Sequence, residues 1–516
     1  MATKILRAAT IPAMAQSLTQ QLHDAFVTYA RRPCLRVPGG RDWSYAELGE
    51  LSARLAGVLG AVGVAAGDRV LVQVDKSPEA LALYLACLQV GAAYVPINTA
   101  YTSAEVDYFL GDAQPGLFVC RPADEVQLKP LSDAAVLTLG TSADGSLLAR
   151  AGEVDPVTEV AAPAGADIAA ILYTSGTTGR SKGAMLTQQN LLSNALTLLD
   201  YWGWQDDDVL LHALPIFHVH GLFVALHCAF LSGTPVLFLP GFNADAVLAS
   251  LPHATVMMGV PTFYSRLLEH PEFDADVCGN MRLFISGSAP LTEQTFRAWE
   301  ERTGLKILER YGMSETAMIT SNPLIGERVA GTVGFALPGI ETRIADAAGR
   351  ALPAEEVGII EVRGPNVFKG YWQMPDKTAE EFRDDGFFVT GDMGRMDSEG
   401  RISIVGRAKD LVISGGYNVY PKEVEKLIDE IPGVVESAVI GVPHPDFGEG
   451  VVAVVVPAAD EVSEADVGAA LDGKLARFKQ PKRVMNVAEL PRNAMGKVQK
   501  NDLRQRFESL FESLVE

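Results

Sequence analysis

The run Tyr173-Thr174-Ser175-Gly176-Thr177-Thr178-Gly179-Arg180-Ser181-Lys182-Gly183 concentrates hydroxyls, glycines and a lysine after the apolar stretch AAILYTSG and before QQNLLSNALTLL. Between a strand and a helix, such residues present backbone N–H groups and hydroxyls to phosphate oxygens, and a lysine adds positive charge. The segment therefore reads as a phosphate-binding loop, against the alternative of a flexible Gly/Ser/Thr turn. A Walker loop needs Gly-Lys-Ser/Thr at the close of a GxxxxGK frame. Here Lys182 follows Ser181 and precedes Gly183, which disfavours ordinary P-loop hydrolysis. The frame Gly179-x-Ser181-x-Gly183 has the spacing of a hydrolase nucleophile elbow, but it lies beyond the strand end where an elbow turns, so we read it as chance. His212, His218, His220 and His227 invite a metal reading, which their apolar surroundings and lack of Cys or carboxylate partners disfavour.

More short runs follow: Phe217-His218-Val219-His220-Gly221, Tyr311-Gly312-Met313-Ser314-Glu315, Thr390-Gly391-Asp392, Gly406-Arg407-Ala408-Lys409-Asp410, and Pro491-Arg492-Asn493 through Gly496-Lys497. In this order, and together with the phosphate loop, they resemble the motifs of the adenylate-forming superfamily of acyl-CoA synthetases, adenylation domains and luciferases. The resemblance extends over essentially the whole chain after about residue 20. Ser314 stands where threonine is usual, and its hydroxyl can still meet a phosphate oxygen. The wording of HVHGLF, MRLFISGSAPL, ERYGMSET, GPNVFKGYW and LPRNAMGKVQK is similar to malonyl-CoA synthetases in particular.

The resemblance implies ATP and coenzyme A as co-substrates and Mg²⁺ as cofactor. It implies an ATP site of Thr174, Ser175, Gly176, Thr177, Thr178, Gly179 and Lys182, with Gly287, Ser288, Ala289, Glu309, Arg310, Tyr311, Gly312, Ser314, Asp392, Arg407 and Lys497. Glu315 would hold the metal, Tyr311 offer a face to adenine, Asp392 accept the ribose hydroxyls, and Arg407 make a second ribose or phosphate contact. Lys497 would stabilise the pentavalent transition state and departing pyrophosphate, and it is also where a regulatory acetyltransferase would act. Thr174, Glu315, His218 and Lys497 are the catalytic candidates. Rotation about Lys409 would then withdraw Lys497 and bring Gly415 and Gly416 toward a pantetheine tunnel. The basic tail of Lys474, Arg477, Lys479, Lys482, Arg483, Arg492, Lys497 and Lys500 reads equally as a contact for CoA phosphates or as a solvated face.

If malonate is the acid, its second carboxylate needs a cation or several donors. Arg282 is the expected clamp, with Ser286 and Gly287 as donors and His218 lining the pocket; the alternative is that Arg282 braces the structure. Methylmalonate would fit as well, since a methyl group changes binding by only ~1–3 kcal/mol. Other readings are a short- or medium-chain monoacid ligase, an enzyme loading a carrier protein, and a nucleotide-binding regulator without turnover.

These residues must be positioned by a large scaffold. The chain has 516 residues, 48% of them apolar, so more than one domain is expected. Its 43 basic and 64 acidic residues give a formal charge of −21, which argues against a nucleic-acid or anionic-membrane partner. No stretch approaches ~20 uninterrupted apolar residues, so no membrane span is expected. The five cysteines form no CxxC pair, which fits a reducing compartment; the cytoplasm is expected, with an organelle matrix as the alternative. Short apolar strands alternating with amphipathic segments imply an α/β fold of helix-covered sheets. After Gly334, GIETRIAD, GIIEVRG and RISIVGR suggest an antiparallel, barrel-like β region. A small mobile α+β unit closes the chain, dividing it into residues 1–406 with the ATP and acid sites and 407–516 with Lys497.

Overall fold

The computed structural model describes residues 16–174, 181–493 and 496–511. Helix caps are written into the sequence. Ser44 and Glu47 form a reciprocal capping box on Tyr45–Ala61, and Ser77 with Pro78 starts Pro78–Val90, which ends at Gly91 in the left-handed conformation. Each device satisfies backbone groups that a helix end leaves free.

The described strands form four sheets. A six-stranded sheet runs in the order Ala135–Thr138, Leu117–Cys120, Arg69–Gln73, Ala93–Pro96, Ile168–Thr174, Lys182–Thr187, parallel except for the last pair. A nine-stranded sheet has the parallel core Leu308–Met313, Leu283–Ser286, Val256–Gly259, Leu210–His212, Val236–Phe238, Pro33–Arg36. Its strands are continuous apolar runs because helices cover the sheet. The region after Gly334 is a four-stranded antiparallel meander of Glu341–Ala345, Gly358–Arg363, Phe388–Met396 and Ile402–Arg407.

The change of sheet falls just after Arg407, which still pairs with Asp392 in the meander. Beyond it lies the C-terminal sheet, with Val434–His444 against Gly448–Pro457 at its centre. The run GVVAVVVP needs both faces covered. Val451, Ala453 and Val455 enter one apolar cluster, and Val452, Val454 and Val456 the other. All five cysteines are buried and free, and among the described residues no helix is long and apolar enough to cross a membrane.

Candidate functional site

The phosphate loop corrects one expectation. It joins two antiparallel strands, with Thr174 opposite Lys182, and the helix Gln188–Tyr201 begins only after the second strand. KGAMLT pairs as a strand because its neighbour AAILYT offers a free edge, so the chain leaves the loop into a strand and not directly into a helix. Ser175, Gly176, Thr177, Thr178 and Gly179 lie outside the described residues.

The two residues flanking the loop meet three others. Thr174 donates its hydroxyl to Glu315 at 3.3 Å, and the Lys182 ammonium donates to Glu381 at 2.9 Å while lying 4.0 Å from the centre of the Tyr371 ring. The Tyr371 hydroxyl lies 3.0 Å from Glu315 and 2.7 Å from Glu381. Burial pushes the Glu315 carboxyl up. Its hard oxygens beside the Thr174 hydroxyl are a donor set that suits Mg²⁺, which takes one or two carboxylates and completes its shell with phosphates and water. No cluster of three or more His, Cys, Asp or Glu side chains among the described residues could cage a metal alone. The sequence reading missed Tyr371 and Glu381. Their signal was faint, a Gly-Tyr-Trp turn and one glutamate among many.

Around the Asp392 carboxylate, Tyr311 donates at 2.5 Å and Arg407 at 2.6 Å. Lys497 joins this cluster, its ammonium pulled down to about 8 by burial and then by Arg407, with Asp392 opposing. Its segment seats on the larger part of the chain. A Cβ on Gly496 would stand 3.1 Å from the Thr262 hydroxyl, and Lys426 pairs with Glu293 at 2.6 Å. Lys409 is exposed. Gly415 and Gly416 are not brought here; with φ of 59° and 81° they make an exposed tight turn whose Gly415 N–H donates to Phe447. In the basic tail, Lys479, Arg483, Arg492 and Lys500 pair with glutamates of their own unit.

The third group surrounds Arg310. A helical stretch of wide, π-type turns, His220–Leu226, follows the His218 loop; such turns recur at functional sites. Burial, Arg310 and Lys497 together hold His218 down to about 4, so its imidazole is neutral. His220 contacts the Ser288 hydroxyl at 3.2 Å, and Ser288 sits in the left-handed conformation at φ 72°, a strained placement of the kind found at functional sites. Arg310 is 2% exposed, and its Nε and Nη2 have no partner; the Ser286 hydroxyl is likewise buried and unpaired. Gly287 is required here, since a Cβ would fall 2.3 Å from Arg310 Nη1. Burial pulls Arg310 down to about 9. A buried cation with unpaired donors has the chemistry to receive an anion, whereas Ser286 pairs in register with Glu309 and shares that residue's face of the sheet.

Arg282 does not belong to this group. Its Nε donates to Asp208 at 2.6 Å, Nη2 bonds the other oxygen, and Nη1 reaches the Trp202 carbonyl at 3.4 Å. It precedes the strand Leu283–Ser286, whereas the site gathers beyond that strand's far end, so Arg282 braces the sheet and is not the clamp. Glu309 alternates away from Arg310, accepting from the Leu291 N–H at 3.2 Å, and burial pushes its carboxyl up to about 8. Ala289 and Ser314 are half-buried beside these groups, and Gly312 has no room for a Cβ, which would fall 2.0 Å from the Ala317 carbonyl oxygen. The other histidines are structural: His212 meets Lys76 at 2.8 Å and His227 meets the Tyr84 hydroxyl at 2.8 Å.

Residues 22–372 match the family described as AMP-binding enzyme, and residues 423–497 its C-terminal domain. An indoleacetate–CoA ligase of Aromatoleum aromaticum is 37% identical over 92% of this chain and 95% of its own, and a malonate–CoA ligase of Arabidopsis thaliana 34% over 86% and 78%. The ATP-bound structure of MatB from Rhodopseudomonas palustris is 53% identical with a TM-score of 0.93, covering 96% of this chain and 99% of that one. Its apo structure, at the same identity and coverage, gives 0.83, so the overall arrangement here lies nearer the ATP-bound form. The chain therefore belongs to the AMP-binding enzyme family and is an adenylate-forming CoA ligase.

Proposed function

We propose that this ligase activates malonate, and accepts methylmalonate, to form the corresponding CoA thioester. The observation that carries the reading is Arg310, buried with two unpaired guanidinium nitrogens next to His218 and Gly287. A monoacid would leave those donors without partners, whereas a second carboxylate pairs them in the bidentate geometry guanidinium favours. Relatedness alone does not select malonate, since ligases named for indoleacetate and ferulate match as well as those named for malonate. The two unpaired nitrogens of Arg310 favour a diacid over a monoacid.

In the first half-reaction one malonate carboxylate oxygen attacks the α-phosphorus of ATP, and the bond to the β-phosphate oxygen breaks to release pyrophosphate. Lys497, docked beside Asp392 and Arg407, supplies positive charge to the phosphorus centre, and Lys182 to the phosphates. Mg²⁺ held by Glu315 would neutralise phosphate charge. Tyr311 and Asp392 orient adenine and ribose. In the second, the CoA sulfur attacks the acyl carbonyl, the acyl–phosphate bond breaks, and AMP and the thiol proton leave. For this step residues 407–516 rotate about Lys409, withdrawing Lys497 and presenting Gly415 and Gly416. Acetylation of Lys497 by a regulatory acetyltransferase would remove its charge and stop the first step alone. Five buried, free thiols favour a reducing compartment, and we assign the cytoplasm.

The test is pyrophosphate release from MgATP with malonate, methylmalonate, acetate, butyrate and benzoate, each with and without CoA. CoA-dependent turnover confined to the short diacids is expected. Comparable turnover with butyrate or benzoate would overturn the diacid assignment.

A further inference from the structure

We infer that Glu381 is a positioning residue for ATP: its charge holds Lys182 at the mouth of the phosphate loop and, through the Tyr371 hydroxyl, fixes Glu315. This rests on the ATP-binding reading of the site and not on the identity of the acid.

The arrangement begins in the backbone. The segment before the helix Pro375–Glu381 docks on the free edge of the strand Lys182–Thr187. Trp372 N–H donates to the Gly183 carbonyl at 2.7 Å, Met185 N–H to the Gly370 carbonyl at 2.9 Å, and Lys369 N–H to the Met185 carbonyl at 2.9 Å. This lays the Tyr371 ring under the Lys182 ammonium, and the helix then delivers Glu381 from the other side. The Lys182 side chain is 8% exposed, so its charge requires an anion close by, and among the described residues Glu381 is the carboxylate that pairs with it.

Glu381 divides its two oxygens between separate tasks. Oε1 takes Lys182 at 2.9 Å, with Lys377 at 3.3 Å, and Oε2 takes the Tyr371 hydroxyl at 2.7 Å. That hydroxyl also lies 3.0 Å from Glu315, whose same oxygen accepts from Thr174. Both strand ends that carry the phosphate loop, Thr174 and Lys182, are thus tied through one phenol and two carboxylates. Two cations on Oε1 neutralise Glu381, so it does not repel the triphosphate. Its work is to hold Lys182 stationary before the nucleotide arrives, the pre-organisation that saves ordering entropy on binding.

Glu381→Gln preserves shape and removes the charge. Equilibrium ATP titration without any acid should show affinity weakened on the order of tenfold, with KM for ATP rising in turnover while kcat changes little. In a Lys182→Met background the same substitution should weaken binding clearly less than it does in the wild type, leaving only the part carried through Tyr371 and Glu315. A separate readout is amine-reactive labelling scored by mass spectrometry: labelling at Lys182 should rise several-fold in Glu381→Gln, which applies whether or not the lysine variant folds. Unchanged or tighter ATP binding, equal weakening in the Lys182→Met background, or unchanged labelling of Lys182 would each overturn the proposal. None of these readouts depends on which acid the enzyme activates.

Discussion

Replacing Arg310 by methionine tests the diacid reading most directly. The guanidinium is 2% exposed, its Nε and Nη2 are unpaired, and it lies against Gly287 and close enough to His218 to hold that imidazole neutral. Hydrogen bonds to charged groups contribute about 1.5–3 kcal/mol each, so two to a malonate carboxylate, less incomplete alignment, give about 4 kcal/mol. That corresponds to a loss on the order of a thousandfold in kcat/KM for malonate. For butyrate the sign reverses, because the wild-type pocket would leave the same donors unpaired, and Arg310→Met should raise its kcat/KM. Pyrophosphate release with the two acids measures the ratio, and ATP titration checks that the nucleotide site is intact. Gly287→Ala reaches the same guanidinium by another route, since its Cβ would stand 2.3 Å from Nη1, and should shift the ratio in the same direction. A parallel fall for both acids in Arg310→Met, with ATP binding unchanged, would refute the reasoning, since it would give Arg310 a role common to every acid.

Lys497 gives a pH prediction. Burial pulls its ammonium down to about 8, and the charged form persists below that value, so kcat/KM for ATP should stay level up to about pH 8 and then fall about tenfold per unit. Lys497→Arg should carry that limb upward, and a profile identical to wild type would exclude Lys497 as its source. His218, neutral above about 4, should add no limb between pH 5 and 8, which the same profile reports. Arg282→Met should destabilise the fold by about 3 kcal/mol, because Asp208, 1% exposed, loses its cation. Denaturant unfolding measures the loss. KM for malonate should not change, and a large rise would return Arg282 to the pocket.

The sequence declared its chemistry through local runs. Thr174, Lys182, Glu315, Asp392 and Lys497 were legible because each sits in a short motif, and the alternation of apolar strands with capped helices carried the α/β class. The continuous run GVVAVVVP announced a strand buried on both faces. What failed was any judgement that depended on the direction of a side chain at long range. Arg282 borders the strand Leu283–Ser286 and Arg310 lies within the neighbouring strand Leu308–Met313 of the same sheet. The first spends its donors on Asp208, 74 residues away in sequence, while the second leaves Nε and Nη2 unpaired. The pairing that places Glu381 on Lys182 spans 199 residues. Composition and spacing thus determined which functional groups the protein possesses and the class of reaction they serve. The tertiary structure decided which of them are already satisfied and which wait for a substrate, because hydrogen-bond capacity is consumed by partners that only folding brings within 3 Å.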